Sequence, residues 1–341
     1  MSIEFAPLDV PLQRRLQMVS IIAYTVFILL GGIPVIIVSI YIMLYTQYIR
    51  LLYLAYVAWI FTFDRNVGSQ GGRQFDWVRN WIWWKYMADY FPLDLVKLPS
   101  CKLNPKRNYL FCCFPHGMMA TGAFTTILTE SRGFSKKFPD HRAHMHSLSV
   151  NFFIPILREL FLAIGGVSSS AESLNYILSK PEGGNITALI VGGAKEAFYS
   201  EPEHYRFVLK NRKGFARIAL QNGSPLVPVI SFGEPDIIPH LHFKQGSIFL
   251  KFQMMVKNKF GFFPLVPVGR GVFQYTYGIL PNRRAINVVV GEPIDVTKVE
   301  QPTPEQIDDL HQIFVEKLTQ LFESQKKNYL KNHETIHLEI I

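Results

Sequence analysis

"FCCFPHGMMATG" (Phe111–Gly122) decides how the chain is read. An apolar run ends in Pro-His-Gly, and a helical pattern begins at once. Tyr109–Phe114 has the length and continuous apolarity of a strand buried on both faces. Pro115 disfavours the helical region for Phe114, and Gly117 permits a tight turn with room for a ligand to approach. His116 is therefore expected between the C-terminal end of a strand and the N-terminal end of a helix, the edge where open α/β sheets bind ligands. The positive end of a helix disfavours imidazolium, so the ring is expected neutral and able to take a proton from a hydroxyl. The N–H groups of Gly117 and Met118 are expected to face a developing oxyanion or a phosphate. The plain alternative is a polar residue that closes a turn.

Outward from this joint, short apolar runs alternate with helical patterns. Strands are expected over Thr187–Val191, Leu226–Phe232 and Ala285–Val290. "SAESLNYILSK" opens with Ser169 three positions before Glu172, a capping-box spacing, and Leu174, Ile177 and Leu178 share one face. "GFARIALQNG" reads as a helix closed by Gly223. Thr303-Pro304 opens a long helix with Ile307, Leu310, Phe314, Leu318 and Leu321 as its apolar stripe. The pattern predicts an α/β domain over residues 108–330, a mixed sheet flanked by helices. Past Lys326 the chain is polar and poorly patterned, so the tail, residues 331–341 above all, is expected to be loosely ordered.

The amino-terminal side differs. No charged residue occurs from Leu16 to Ile49, about 34 positions, while one membrane span needs about 20. Gly31-Gly32-Ile33-Pro34 interrupts the block near its middle. After a cytosolic tail (residues 1–15), residues 16–63 are expected to form a membrane-embedded helical hairpin, re-entrant or as two short spans. Arg14 and Arg15 before it and Arg50 and Arg65 after it favour both ends on the cytoplasmic side. A buried hairpin in a soluble core is the competing reading. Residues 64–107 are a polar, Gly-rich linker followed by "WIWWKYMADYFPLDLVK" (Trp81–Lys97), which suits an interfacial aromatic helix and a core helix equally. "IFLKFQMMVKNKFGFFPLVPVGRGVFQY" (Ile248–Tyr275) mixes exposed-looking apolar residues with Lys251, Lys257, Lys259 and Arg270, and is expected to touch membrane as well.

Composition agrees. Of 341 residues 49% are hydrophobic and only 18% charged, below the roughly 25% charged of soluble domains. The formal charge of +9 is not gathered into a long basic run, which argues against nucleic acid and for anionic lipid or a phosphorylated substrate. Three cysteines, Cys101, Cys112 and Cys113, do not make a disulfide framework and suit a reducing compartment. His141, His144 and His146 bunch without other ligands at metal spacing, so no metal site is expected. No G-x-S-x-G elbow occurs, which disfavours a serine lipid hydrolase.

"FPHGMMATGAFTTILTE" (Phe114–Glu130) resembles the His-Pro-His-Gly signature block of the type 2 diacylglycerol acyltransferase family, which includes monoacylglycerol and wax-alcohol acyltransferases. "YFPLDLVK", "NFFIPILRE", "VGGAKEAF", "NRKGFARIAL", "VPVISFGE", "GRGVFQYTYGILP" and "VVVGEPI" are similar to further family blocks in the same order, so the resemblance covers nearly the whole chain. It implies a glycerolipid-acyltransferase-like fold and transfer of a fatty acyl group from acyl-CoA to diacylglycerol, or to a monoacylglycerol or long-chain alcohol. A non-catalytic lipid-binding relative is the remaining alternative. The signature's first histidine is Phe114 here, which leaves the base role to His116 with Pro115, Gly117 and Met118 beside it. The wider glycerolipid acyltransferases carry Asp five positions after the histidine; here that position is Thr121, and Glu196, after Gly192-Gly193, is the candidate to orient His116 or bind the acceptor, with a helix N-cap carboxylate as its plain reading. Arg212, Lys213 and Gly214, with Arg158 in the Pro/Arg block, are the candidates for acyl-CoA phosphates. A cysteine nucleophile is disfavoured. The resemblance implies no cofactor beyond acyl-CoA as co-substrate, and as partners acyl-CoA, the lipid alcohol and the bilayer, with a homo-oligomer left open. It implies residence in the endoplasmic reticulum membrane, catalytic domain toward the cytosol, and on lipid droplets.

Overall fold

The computed structural model describes residues 3–7, 9–261 and 263–341; Met1, Ser2 and Leu8 of the expected tail and Phe262 of the basic aromatic stretch lie outside the described residues. The main sheet has seven strands among those residues: β1 (Asp94–Lys97), β2 (Tyr109–Phe114), β3 (Arg142–Ser147), β4 (Gly166–Ser168), β5 (Asn185–Ile190), β7 (Leu226–Phe232) and β8 (Asn287–Val290), in the order β1-β8-β7-β2-β5-β3-β4. Only the β7–β8 pair is antiparallel, so the sheet is mixed. A second small sheet pairs β6 (Tyr205–Phe207) with β9 (Leu338–Ile340).

β2 lies at the centre with every residue buried, which accounts for its unbroken apolarity. Its side chains alternate between two cores. Tyr109, Phe111 and Cys113 face one, and Leu110, Cys112 and Phe114 face the other. The first core is covered by α1 (Leu12–Leu29) and the Ile82–Tyr90 and Thr121–Ile127 helices, the second by the Ala171–Leu178, Gly214–Asn222 and Pro304–Tyr329 helices. Thr303 caps the last of these with the expected stripe buried, and Thr303 and Gln306 form a reciprocal capping box. Gly223 closes the Gly214–Asn222 helix in the left-handed conformation. The cap of the Ala171–Leu178 helix is Ser170 rather than Ser169, whose N–H donates to the Ser147 carbonyl at the end of β3.

Two expectations for the flanks change. The tail is ordered: Lys326 is buried with its ammonium on the Ile336 carbonyl, and β9 pairs with β6. The apolar block is three helices, α1, α2 (Ile33–Tyr45) and α3 (Tyr48–Thr62). Among the described residues no single helix is long and apolar enough to cross a membrane; α1 and α2 pass together, bent by 80° at the Gly31–Gly32 break. α1 also packs on the α/β domain, because Ile21 and Tyr24 join the first core and Arg283 donates to the Gln17 amide oxygen at 2.8 Å. In contrast α2 buries no residue and α3 only Ile60. The Trp81–Lys97 segment divides into a core-facing helix, with Trp84, Met87 and Tyr90 buried, and β1.

Phe114 explains one departure from the family signature. It is fully buried, stacked on Phe207 at 4.9 Å and tilted against Phe314 at 6.3 Å. A ring at this position serves the core beneath the joint. Phe114→Ala should therefore cost about 3–5 kcal/mol, read as a drop in the denaturation midpoint of the detergent-solubilised protein; a loss below about 1 kcal/mol would contradict this packing.

Candidate active site

β7, β2 and β5 are adjacent and parallel, so their C-terminal ends share one edge. Each strand delivers an ionisable residue there: Glu234 after β7, His116 after β2 and Glu196 in the Gly193–Phe198 helix after β5. His116 is half-buried, while Glu196 and Glu234 are buried.

The two carboxylates hold the backbone of the His116 loop. The His116 N–H donates to Glu196 Oε2 at 2.6 Å, and the Val208 N–H donates to Oε1 at 2.9 Å. The Thr121 and Gly122 N–H groups donate to Glu234 Oε1 and Oε2, each at 2.7 Å. Tyr24 of α1 donates its hydroxyl to the Met119 carbonyl at 3.1 Å, clamping the loop from a third side. Glu196 thus touches the backbone of His116 and not its ring, and a carboxylate at a strand edge serves as a brace. The brace extends further. The Leu209 and Lys210 N–H groups, just past Val208, donate to the Ile341 carbonyl, so β9 steadies the segment on which Glu196 rests.

Among the described residues the ring makes one hydrogen bond: Nδ1 lies 2.9 Å from the Gly117 carbonyl oxygen. A carbonyl only accepts, so Nδ1 carries the proton of a neutral ring and Nε2 keeps its lone pair. Burial pushes the His116 pKa below the ordinary imidazole value. The neutral ring was expected from a helix N-terminus, and that reason is replaced: the helix begins only at Thr121, and its leading N–H groups go to Glu234. Gly117 and Met118 lie in the turn before it, and neither N–H finds an acceptor among the described residues. Gly117 has φ +54°, and a Cβ there would lie 2.7 Å from Glu234 Cγ, so both conformation and space require glycine.

The remaining candidates fall in different places. Arg212 is exposed and near enough for its charge to lower the Glu196 pKa. Lys213 forms an ion pair with Asp308 at 2.6 Å, and Gly214 opens its helix at the surface. Arg158 is a correction. It is fully buried, with Nη2 on both the Asp64 carboxylate and carbonyl at 2.9 Å, so its guanidinium ties the loop after α3 to the core and does not face a phosphate. Burial raises the Cys112 and Cys113 thiols, which disfavours thiolate nucleophiles. Glu234 was missed as a site residue although its block was recognised. Its signal was modest: a charged residue directly after a glycine and a strand that is apolar except for Ser231.

Burial raises Glu196 to about 8 and Glu234 to about 7, against the opposing pull of their N–H donors. Carboxyls raised in the folded state contribute stability that is complete below the unfolded value near 4.5 and is lost as pH rises through about 7 and about 8. Buried His144 and His146, lowered to about 3 and about 4, act in the opposite sense, and their contribution is lost as pH falls below about 6.5. Thermal midpoints should therefore peak near pH 6.5 and decline toward pH 8.5, with a shallower alkaline decline in Glu196→Gln. A midpoint that rises steadily to pH 8.5 would contradict the buried carboxyls. Gly117→Ala should lower the midpoint by the equivalent of about 1–3 kcal/mol, and an unchanged midpoint would contradict the close approach of Glu234.

Comparison with known proteins follows the same outline. The family model described as "Diacylglycerol acyltransferase" matches residues 41–340. The chain is 39% identical to the human protein named 2-acylglycerol O-acyltransferase 1, over 99% of this chain and 100% of that one. It is 38% identical to diacylglycerol O-acyltransferase 2 of Dictyostelium discoideum, over 99% of both chains, and 38% identical to the human protein of that name, over 93% of this chain and 81% of the other. The matched region contains the whole sheet and all three residues at its edge, and the chain belongs to the diacylglycerol acyltransferase family.

Proposed function

We propose that the chain moves a fatty acyl group from acyl-CoA to the free hydroxyl of diacylglycerol, forming triacylglycerol, with His116 as general base. The observation that carries the assignment of the base is the Nδ1 contact with the Gly117 carbonyl, because it leaves Nε2 as the ring's only proton acceptor. A neutral hydroxyl attacks a thioester poorly, so a positioned base is the least apparatus the reaction needs. Nε2 takes the hydroxyl proton as the oxygen adds to the thioester carbonyl. The Gly117 and Met118 N–H groups receive the oxyanion. Collapse breaks the carbon–sulfur bond, and the imidazolium returns its proton to the departing CoA thiolate, so no covalent enzyme intermediate is needed. Glu196 is a positioning residue, acting through the backbone N–H of His116. Arg212, exposed beside Glu196, receives the acyl-CoA phosphates, with Lys213 and Gly214 at the same helix start.

The apolar surfaces of α2 and α3 embed in the endoplasmic reticulum membrane and keep the α/β domain on the cytosolic side, an arrangement that also suits lipid droplets. A second acceptor, 2-monoacylglycerol, is favoured by the end-to-end alignment with the human 2-acylglycerol enzyme.

Microsomes containing the chain, supplied with labelled oleoyl-CoA and diacylglycerol, monoacylglycerol or a long-chain alcohol in turn, should yield labelled triacylglycerol from diacylglycerol and labelled diacylglycerol from monoacylglycerol; absence of product with every acceptor would leave only a lipid-binding role. His116→Ala should lower kcat by about 10²–10⁴-fold while the protein stays in the membrane fraction, and retained turnover would remove His116 as base. In Glu196→Gln one backbone N–H meets an amide NH₂. The variant should lose about tenfold in kcat with KM for acyl-CoA little changed; a change in KM alone would make Glu196 a binding residue instead.

A further inference from the structure

The Ile248–Phe260 helix is capped by Ser247, whose hydroxyl accepts the Leu250 N–H, and ends on left-handed Gly261. It is fastened from one side: Gln253 is buried, and its amide donates to the Pro264 carbonyl at 3.0 Å. Turned away from this attachment are Ile248, Phe252 and Met255, exposed by 83%, 52% and 57%, with Phe249, exposed by 66%, at the edge of the same face. Their spacing puts them on one helical face, flanked by Lys251, with Lys259 one turn beyond Met255 at the end of the same stripe. The helix contains three lysines and no carboxylate.

This face continues the surface of the apolar helices. A Cβ on Gly261 would lie 3.8 Å from Leu148 Cδ2, and Leu148 begins a segment exposing Val150, Phe153 and Ile156. Within that segment Ile154 sits against Gly32 at the α1–α2 bend. The patch so joined is far larger in apolar residues than the scattered exposure of an ordinary soluble surface. Past the helix, Phe263 stacks on Phe198 at 5.0 Å, two residues beyond Glu196.

We propose that the Ile248–Phe260 helix lies in the headgroup layer of an anionic bilayer, with Ile248, Phe249, Phe252 and Met255 toward the acyl chains and Lys251 and Lys259 toward lipid phosphates. Charge selects this occupant: a second copy would bring lysines against lysines, whereas a negative leaflet attracts each of them. The inference rests on the membrane-bound reading above and adds a second, in-plane attachment whose trailing loop reaches the helix that carries Glu196.

The native cysteines are buried, so single introduced cysteines can be labelled selectively with a polarity-sensitive fluorophore. The full chain is reconstituted into vesicles of phosphatidylcholine alone or with about 30% phosphatidylserine, labelled at Phe252→Cys, at Ile40→Cys in α2, or at Lys317→Cys on the other side of the sheet. Brominated lipid should quench the labels at 40 and 252 but not at 317. Quenching at 252 should grow about twofold with phosphatidylserine, and this gain should vanish in the Lys251→Glu/Lys259→Glu background. Quenching at 40 without quenching at 252 overturns the helix proposal and leaves the hairpin reading intact, whereas quenching at neither overturns both. Protection of the label at 252 from both brominated lipid and aqueous iodide would mean that a protein covers the helix, and also overturns the proposal.

Discussion

Two buried carboxylates that receive backbone N–H groups hold the site together. Glu196 takes the N–H of His116, and Glu234 takes those of Thr121 and Gly122, so the six-residue span between them has both ends fixed. Burying a carboxyl is costly unless its oxygens are hydrogen-bonded, and here four N–H donors meet four oxygens. The arrangement is assembled where three parallel strands end together. β7, β2 and β5 provide that edge, and the cores on either side of β2 keep them in register. The half-buried histidine is thereby presented on a rigid loop and not on a flexible one.

Much of this was legible in the residues. β2 and β7 were expected with the bounds they have, because largely apolar runs broken by Pro-His-Gly or Gly-Glu leave little freedom. β5 and β8 begin two residues before and after the expected positions, since their starts are polar and pairing sets the boundary. The Thr303 and Gly223 helix ends were readable from capping chemistry alone. The late start of the Thr121–Ile127 helix was not, because a left-handed Ala120 and a carboxylate 113 residues away decide it. Glu234 and the ordered tail were hidden for the same reason: their partners are distant in sequence. Arg158 shows the converse, as a basic residue in a family block that looked like a phosphate ligand and is a buried tie to Asp64.

The amino-terminal block illustrates how hydropathy alone misleads. From Leu16 onward α1 shares one uncharged block with α2, but its Tyr24 and Ile21 belong to the core, and Tyr24 reaches the loop behind His116. The apolar surface left open belongs to α2, α3 and the segments that continue it. An element that reads as a membrane arm thus helps to build the site. Phe114 follows the same logic: in place of a histidine, a stacked phenylalanine supports the strand that carries His116.

The central claim concerns one proton on one ring. Nitrogen NMR of the chain labelled in histidine, with the His116 signals assigned by their loss in His116→Gln, reads that proton directly. At pH 7 the account predicts a neutral imidazole protonated on Nδ1, with an unprotonated Nε2. An imidazolium, or a ring protonated on Nε2, would contradict it.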